Sequence, residues 1–327
     1  MAEAVALGES ARGTTAPNPN VGCVVVRDGR VVGAGTTQKG GRPHAEAVAL
    51  EAAGDDARDA TVFTSLEPCA HQSERGPACA DLLIAARPAR VVAALEDPDP
   101  RTAGRGVARL REAGIVVEVG TCAERAARSL EGFLTRLALG RPFVTLKLAL
   151  SIDGKIALPS GESKWITGVE ARGHVHQLRA EADMILVGRG TYEADQPSLD
   201  VRLPGLEHRS PRRALLTRGA PVPGWTCLAS PQAVHDLHDV NDLLVEGGSG
   251  AASAFLQADL VDRLLVYRAP ILIGEGKSSV GYIGLSDLAN AHGRWRLADG
   301  RGLGMDRLEV YERVRTAAAA KPPAKTG

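Results

Sequence analysis

The feature that most constrains this chain is a set of metal-binding side chains at short, ordered spacing. His44-Ala45-Glu46 begins a predicted helix, Glu67-Pro68-Cys69 ends a predicted strand, and Cys79 follows ten residues later. A catalytic zinc site needs three protein ligands and an open fourth position for water, and a nearby carboxylate that is not a ligand can move the proton of that water. We therefore predict that His44, Cys69 and Cys79 bind Zn²⁺ and that Glu46 is the catalytic acid and base.

The same combination is the signature of zinc-dependent base deaminases. Either half alone is weak evidence, because a lone His-X-Glu is common and a buried cysteine is usually a small apolar residue. Their order, and their places at strand and helix ends, favour the metal site. Cys23 lies in an apolar β run and Cys122 at a helix start, so we interpret both as structural, whereas Cys227 has no partner pattern.

The composition narrows the class of protein. Lys plus Arg equals Asp plus Glu at 39 each and aromatics are 3%, which disfavours polynucleotide binding and favours a small soluble substrate. No apolar run is long enough to cross a bilayer, and the first residues lack a secretory signal. Five cysteines are an odd number, which favours thiols or metal ligands over a disulfide framework. We predict a cytoplasmic protein that binds neither nucleic acid nor membrane.

The first half of the chain alternates strands and helices. Two strands, at 22–27 and 30–35, flank Asp28-Gly29, which predicts a tight hairpin. A helix follows, with Pro43 at its first position and Gly54 as its stop. The pattern then predicts strands at 60–66, 90–95 and 115–119 and helices at 78–86, 104–113 and 121–139. Such alternation predicts a three-layer α/β domain over residues 1–140.

Gly140-Arg141-Pro142 breaks the last helix, and we place the domain boundary there. The second domain, 141–314, has its own alternation, with strands at 143–148, 183–188, 213–217, 242–246 and 262–268 and helices near 169–181 and 250–258. Residues 315–327 are low in complexity and are predicted to be a disordered tail.

Longer motifs run through most of the chain. They are Pro17-Asn18-Pro19-Asn20-Val21-Gly22, Pro43-His44-Ala45-Glu46, Leu66-Glu67-Pro68-Cys69, Ala103-Gly104-Arg105-Gly106, Lys147 through Ser151-Ile152-Asp153-Gly154-Lys155, Ser163-Lys164-Trp165-Ile166-Thr167 and Val245-Glu246-Gly247-Gly248. With these motifs, residues 16–120 resemble the deaminase half and residues 143–310 the reductase half of the bifunctional riboflavin-biosynthesis deaminase–reductase family. The resemblance implies a cytidine-deaminase-like fold followed by a dihydrofolate-reductase-like fold.

For the first domain, the resemblance implies zinc-dependent hydrolytic deamination of a diaminopyrimidinone that carries a ribosylamino 5-phosphate. Glu46 would take a proton from water and pass it to the leaving ammonia. Asn18 would hold the pyrimidine, although a turn residue beside Pro19 is an equal interpretation. His71 is either a substrate contact or a solvated loop histidine.

For the second domain, the resemblance implies reduction of the ribosyl group to ribityl by NADPH, although the residues alone leave NADH open. The implied substrate residues are Ser163, Arg179, Leu199, Arg202 and Glu246, with the two arginines on the phosphate. The implied cofactor residues are Trp165, Thr191, Asp195, Gly248, Ser249 and Gly250. These residues could instead have purely structural roles. Arg179 would then pair with a helix carboxylate, Trp165 would fill the core, and the glycines would serve only the turn.

The chain departs from the family pattern in two places, and the second of them suggests an alternative function. Nine residues separate Cys69 from Cys79, one more than the family usually has, and Ala70 replaces a serine. Only 44 positions separate Arg202 from Glu246, and Thr217-Arg218 replaces an acidic residue. Part of the cofactor-binding wall is therefore expected to be missing. The alternative is a deaminase whose second domain is a non-catalytic dimerisation or ligand-binding module. A nucleic-acid base deaminase is a second rival, and the family suggests a homodimer or larger homo-oligomer.

Overall fold

The protein is described from a computed structural model, which describes residues 1–71 and 75–315. The tail predicted for 315–327 lies, apart from Arg315, outside the described residues. Contacts divide the chain into a first unit, Met1–Leu137, and a second unit that begins at Ala138. In the described part of the chain, no helix combines the length and the apolar character needed to cross a membrane.

The first unit contains a five-stranded sheet in the order β2-β1-β3-β4-β5. Strand β1 is antiparallel to β2 and β3, whereas β3, β4 and β5 are parallel. The strands are β1 (Gly22–Arg27), β2 (Arg30–Thr36), β3 (Thr61–Thr64), β4 (Arg90–Ala93) and β5 (Val116–Val119). The helices are α1 (Ala2–Ser10), α2 (Ala45–Ala53), α3 (Cys79–Ala86), α4 (Arg105–Glu112), α5 (Ala123–Ser129) and α6 (Glu131–Leu139), the last of which runs into the second unit. Short 3₁₀ turns occupy Lys39–Gly41 and Gly54–Ala57.

The hairpin between β1 and β2 forms as predicted. Asp28 and Gly29 have φ of 50° and 73°, the left-handed backbone that a two-residue turn of this kind requires. Glycines in the two strands let helices approach the sheet on both faces. A Cβ at Gly22 would lie 1.9 Å from Ala4 O of α1, and one at Gly35 would lie 2.7 Å from Ala45 O of α2. The predicted three-layer arrangement is confirmed.

The prediction of a single helix over 121–139 was wrong. The helix ends at Ser129 and a second one begins at Glu131, because Leu130 leaves helical geometry with φ −99° and ψ 9°. Its side chain is fully buried in the core of the unit. Burial of Leu130 therefore accompanies the change of backbone path between α5 and α6.

The second unit contains an eight-stranded sheet in the order β10-β9-β8-β11-β6-β12-β15-β14. The first six strands in this order, from β10 to β12, are parallel to one another. Strand β15 pairs antiparallel with β12, and β14 pairs antiparallel with β15. Its strands are β6 (Phe143–Leu150), β8 (Met184–Gly188), β9 (Arg212–Leu216), β10 (Thr226–Leu228), β11 (Asp242–Val245), β12 (Arg263–Arg268), β14 (Trp295–Leu303) and β15 (Asp306–Arg313). A two-stranded sheet pairs β7 (Lys155–Ala157) with β13 (Lys277–Ser278). The helices are α7 (Val169–Glu181), α8 (Arg189–Asp195) and α9 (Ser249–Gln257), with 3₁₀ turns at Glu207–Arg209, Pro231–Asp236 and Leu288–Ala291.

Strand β6 lies between β11 and β12 in this sheet. Alternate residues from Val144 to Leu150 are buried, and the residues between them, including Lys147, are half-buried. Because successive strand side chains point to opposite faces, one face of β6 enters the core and the other carries Lys147.

The short segment between Arg202 and Glu246 is folded. It supplies β9 and β10, which continue the parallel sheet, and the 3₁₀ turn Pro231–Asp236. Val234, Leu237 and Val240 anchor this turn and the chain after it in the core. A 3₁₀ turn, and not an α-helix, therefore precedes β11.

Candidate active sites

The metal-binding residues stand at the ends of elements of the first unit. His44 is the N-cap of α2, with extended backbone, and Glu46 is the second residue of that helix. The prediction placed Pro43 at the first helical position and His44 in the first turn. Instead, His44 caps the helix and Pro43 precedes the cap. Cys69 follows β3 through Glu67-Pro68, and Cys79 is the first residue of α3.

The structure brings the three predicted ligands together. His44 Nδ1 lies 3.3 Å from Cys79 Sγ and 3.6 Å from Cys69 Sγ, and the three ligand atoms lie within 4.8 Å of one another. A zinc ion with ordinary bond lengths and tetrahedral angles holds a nitrogen and a sulfur ligand about 3.6 Å apart. The donor set and its spacing therefore fit zinc, and in the described part of the chain this is the one such cluster found.

Hydrogen bonds give the two thiols different protonation. The pKa of Cys69 is lowered to about 4 by its hydrogen bond with Cys79, against the effect of burial, and His44 adds to the lowering. The pKa of Cys79 is raised by the same hydrogen bond and by burial. The Cys79 N–H donates to Cys69 Sγ at 3.3 Å, and the Cys79 thiol donates to Glu46 Oε2 at 3.3 Å. Metal binding at such a site releases the remaining thiol proton.

Glu46 has the environment of a proton carrier. Its side chain is 3% exposed, and burial raises the pKa of its carboxyl despite the opposing effect of His44. A buried carboxyl with a raised pKa binds a proton more readily than a solvated one, which suits a group that must accept a proton and return it. Glu46 contacts Cys79 but is not among the three ligand residues.

Glu67 is a buried carboxylate whose role the sequence did not reveal. Its Oε2 accepts from Asp97 N–H and Gly104 N–H, and its Oε1 accepts from Val107 N–H, all at 3.0 to 3.1 Å. Gly104 is the N-cap of α4 and has no side chain, so Glu67 supplies the missing cap from another segment. A Cβ at Gly106 would lie 2.0 Å from Pro68 O, which shows how closely α4 packs against the segment that carries Cys69.

Polar residues of neighbouring loops include the predicted substrate contacts of the first unit. Asn18 is half-buried against Gly41, where a Cβ would lie 1.6 Å from Asn18 Nδ2. His71 Nδ1 lies 3.3 Å from Thr102 Oγ1, and Arg75 donates to Gly40 O at 2.9 Å. The roles of Asn18 and His71 stay predictions.

A cavity of about 890 Å³ lies in the second unit. Every residue predicted for substrate or cofactor in this half of the chain lines it, although their roles stay predictions. They are Ser163, Trp165, Arg179, Thr191, Asp195, Leu199, Arg202, Glu246, Gly248, Ser249 and Gly250. Among the other lining residues, Lys147 and His176 had not been predicted as functional. Lys147 begins one of the quoted motifs, whereas His176 has no local pattern that marks it.

The cavity contains an ion-paired centre that joins three elements. Glu246, directly after β11, accepts both Arg179 Nε at 2.8 Å and Arg179 Nη2 at 2.9 Å from α7, and Lys147 Nζ of β6 lies 3.8 Å away. Burial acts to raise the pKa of Glu246, but Lys147 and Arg179 lower it, so the carboxylate is ionised. Arg179 therefore pairs with the carboxylate at the end of a strand and not with a carboxylate of a neighbouring helix.

The predicted cofactor residues are arranged around the start of α9. Gly248 N–H donates to Thr191 Oγ1 at 3.0 Å, and Asp195 lies 3.7 Å from Lys164 Nζ. A Cβ at Gly247 would lie 2.4 Å from the Ala251 Cβ, so this glycine is required for packing of the turn. Trp165 is 66% exposed beneath the Arg172 guanidinium, and it does not fill the core.

Charge in the cavity favours anionic ligands. Its cationic side chains are Lys147, Lys164, Arg172, Arg179, Arg189, Arg202 and Lys277, against the two carboxylates of Asp195 and Glu246. Guanidinium and ammonium groups at this density attract phosphates. The volume, the cations and the turn before α9 together fit a phosphorylated substrate and a dinucleotide.

Comparison with protein families matches both units. Residues 1–95 match the cytidine and deoxycytidylate deaminase zinc-binding region, and residues 142–304 match the RibD C-terminal domain. The riboflavin biosynthesis protein RibD of Escherichia coli is 41% identical, with 89% of this chain and 92% of that protein covered. The RibD protein of Aquifex aeolicus is 38% identical, with 88% and 90% covered.

Solved structures show the same architecture along nearly the whole chain. Acinetobacter baumannii RibD superposes with a TM-score of 0.87 at 36% identity and covers 96% of this chain and 98% of its own. A diaminohydroxyphosphoribosylaminopyrimidine deaminase/5-amino-6-(5-phosphoribosylamino)uracil reductase of Thermotoga maritima superposes with a TM-score of 0.87 at 32% identity, with 96% and 97% covered. The short segment between Arg202 and Glu246 therefore leaves the fold shared with these solved structures largely intact.

Proposed function

The chain belongs to the RibD family of bifunctional riboflavin-biosynthesis enzymes, and we propose that residues 1–140 carry its deaminase activity and residues 141–314 its reductase activity. The observation that carries this division is that each unit holds a complete set of groups for one reaction. The first unit holds a His-Cys-Cys cluster with a separate carboxylate, and the second holds a cationic cavity with an ionised glutamate. The alternative of a non-catalytic second domain is not favoured, because the second unit matches the RibD C-terminal domain and its cavity is lined by the residues predicted for substrate and cofactor.

We propose that the first unit deaminates a diaminohydroxyphosphoribosylaminopyrimidine. His44, Cys69 and Cys79 would hold zinc, which when bound lowers the pKa of water enough to make it a nucleophile. Glu46 accepts a proton from the attacking water and delivers it to the departing amine, so one carboxylate acts first as base and then as acid. Asn18 would orient the pyrimidine, and His71 would contact it from the loop before Arg75.

We propose that the second unit reduces the ribosyl group of the deaminated product. When bound, NADPH would supply a hydride to the sugar carbon that bears the amino nitrogen, while the bond from this carbon to the ring oxygen breaks and the oxygen gains a proton to become a ribityl hydroxyl. Lys147 is the ammonium nearest Glu246, so it is the group we assign to donate the proton that balances the hydride. Glu246 holds Lys147 and Arg179 in place by charge, and Ser163 and Leu199 complete the substrate wall.

The phosphate contact is divided between two arginines. The three side-chain nitrogens of Arg179 all donate to protein oxygens. Nε and Nη2 donate to the Glu246 carboxylate, and Nη1 donates to Asp200 O. The Arg202 side chain is 59% exposed at the cavity and pairs with Asp200 at 3.3 Å. We therefore assign the direct phosphate contact to Arg202, with Arg179 contributing positive charge from a fixed position.

For the cofactor, we propose that Trp165, Thr191, Asp195 and the start of α9 at Gly248, Ser249 and Gly250 meet NADPH. The first free N–H groups of a helix and the positive end of its dipole favour a phosphate there. We also propose a cytoplasmic enzyme that forms a homodimer or larger homo-oligomer, which light scattering on the purified protein would test.

Two assays on one preparation test the proposed function. Ammonia release from the ribosylamino pyrimidine 5-phosphate should require zinc, and addition of the deaminated product with NADPH should consume nicotinamide absorbance. No loss of absorbance with competent product would show that the second unit is not a reductase. Faster ammonia release from a tRNA or DNA oligomer than from the pyrimidine would show that the first unit acts on nucleic acid.

A further inference from the structure

The segment from Pro197 to Arg202 forms part of the cavity wall without being helix or strand. Leu199 is buried with φ of 57°, a conformation that side chains other than glycine rarely adopt, so neighbouring groups must hold the segment in place. Val201 N–H donates to Ser210 Oγ at 2.9 Å, and Arg179 Nη1 donates to Asp200 O at 3.1 Å. The position of Arg202 therefore depends on side chains outside the segment.

His176 of α7 contacts the segment at its end. His176 Nδ1 lies 3.2 Å from Asp200 O and 3.2 Å from Arg202 N. One ring nitrogen cannot both donate to the carbonyl and accept from the N–H. Asp200 O already accepts from Arg179, whereas an unprotonated Nδ1 offers the Arg202 N–H an acceptor. A neutral imidazole with its proton on Nε2 therefore satisfies all of these groups.

The charges around His176 agree with this assignment. Burial, and then the neighbouring Arg179 and Arg202, lower the pKa of its imidazole and outweigh the opposing effect of Asp200. A protonated ring would place a third cation beside the two arginines and would remove the acceptor for Arg202 N–H.

We propose that His176 is a positioning residue for the phosphate of the reductase substrate: its Nδ1 holds the Arg202 backbone and thereby places the Arg202 guanidinium at the cavity. The inference rests on the proposed reductase function. It extends that function by naming a residue that determines affinity for the phosphorylated pyrimidine without taking part in hydride or proton transfer.

Two amide substitutions separate the two ring nitrogens. The side-chain amide of His176→Asn can place its oxygen near the position of Nδ1, whereas that of His176→Gln lies near the position of Nε2. We expect His176→Asn to keep the KM for the deaminated phosphorylated product within about twofold of the parent. His176→Gln should raise this KM about tenfold, the effect of one lost hydrogen bond, and leave kcat and the KM for NADPH unchanged.

The controls use the same unit. His235→Gln changes an exposed histidine that does not line the cavity and should behave as the parent. The Kd for NADPH checks that the unit is folded, and if His176→Gln fails this check, His176→Ala replaces it in the comparison. A parent-like KM in the variant that lacks Nδ1 overturns the inference, as does a large fall in kcat for His176→Asn at unchanged KM.

The failure of this inference is distinguishable from that of the proposed function. If the parent protein binds NADPH and the phosphorylated product but does not turn them over, the reductase proposal fails. Calorimetric Kd values of the phosphorylated product for the parent and both variants then decide the role of His176, with a tenfold loss confined to the variant without Nδ1 supporting it and equal values refuting it.

Discussion

The metal cluster of the first unit and the ion-paired centre of the second unit are built in contrasting ways. The metal ligands His44 and Cys79 are 35 positions apart, and each begins or caps a helix next to the sheet. Lys147, Arg179 and Glu246 come from β6, α7 and the end of β11, and Arg179 and Glu246 are 67 positions apart. Metal coordination demands particular donor atoms, so it leaves a pattern in residue types. Reduction by a nicotinamide demands position and charge, which many residue types can supply.

The two regions also handle charge in opposite ways. The metal cluster concentrates thiolate and carboxylate groups that a divalent cation would neutralise. The cavity of the second unit concentrates guanidinium and ammonium groups that phosphates would neutralise. Because both regions are in one chain, each activity can serve as the internal control for changes made in the other region.

The largest expected effect is on the proton carrier of the first unit. Glu46→Gln should retain zinc, since the three ligands are intact, but lower deamination by about 10²–10⁴-fold because the amide cannot accept a proton. Reduction should be unchanged. Metal content and both rates measure this, with Glu51→Gln on the exposed face of α2 as the matched control. Stoichiometric loss of zinc from Glu46→Gln would make Glu46 a ligand and contradict its assigned role.

Removal of one thiolate should affect the metal before the proton transfer. Cys79→Ser replaces a soft ligand by a hydroxyl that binds zinc weakly, so the zinc content should fall well below one per chain and deamination should fall with it. Cys122→Ser, at an exposed cysteine, should keep full zinc and full activity. Elemental analysis of both proteins after dialysis checks this, and full zinc in Cys79→Ser would remove Cys79 from the ligand set.

In the second unit, loss of the assigned proton donor should lower the rate of reduction and leave deamination unchanged. Lys147→Met keeps the length of the side chain but removes the ammonium, so reduction should fall about 100-fold while zinc content and deamination stay unchanged. The rate of NADPH oxidation at saturating product measures the effect. A kcat close to that of the parent would show that the proton comes from another group.

Of these substitutions, the one at Glu67 should have the smallest effect on either reaction and the largest effect on packing. Glu67→Ala leaves the Asp97, Gly104 and Val107 N–H groups without their acceptor in a buried region, which should destabilise the first unit by about 2–4 kcal/mol. Denaturant unfolding monitored by loss of zinc measures this. Glu118→Ala, at an exposed carboxylate of β5, should leave the stability close to that of the parent. Equal effects of the two substitutions would exclude a capping role for Glu67.

Local sequence signals predicted much of the fold correctly. Asp28-Gly29 predicted the hairpin, the glycines around Glu246 predicted the turn into α9, and helical spacing predicted α7 at its observed bounds, Val169–Glu181. Local signals were weaker where an element buries little, as in α8 and β14, and where burial overrides local preference, as at Leu130. Helix α8 and the antiparallel strands β14 and β15 were not predicted, and the break at Leu130 was missed because nothing in the local composition interrupts the helix.

Within the candidate sites, the clustering of His44, Cys69 and Cys79 was predictable and the supporting contacts were not. Glu67 stands in the Leu66-Glu67-Pro68-Cys69 motif, yet its partners lie 30 to 40 positions away. His176 lies in an ordinary amphipathic helix, and its contact with Arg202 exists only because a loop returns to that helix. Neither contact follows from residue type or spacing.

The sequence by itself was enough to predict the His-Cys-Cys cluster, since only a few side chains bind zinc and their spacing at element ends brings them together. The tertiary structure alone decided that Glu246 pairs with Arg179 and Lys147, and that His176 supports Arg202. The physical reason is the order of the parallel strands: β11 lies between β6 and β8 although β6 precedes it by many residues. Neighbours across such a sheet are chosen by packing of the whole unit, which no local pattern in the chain records.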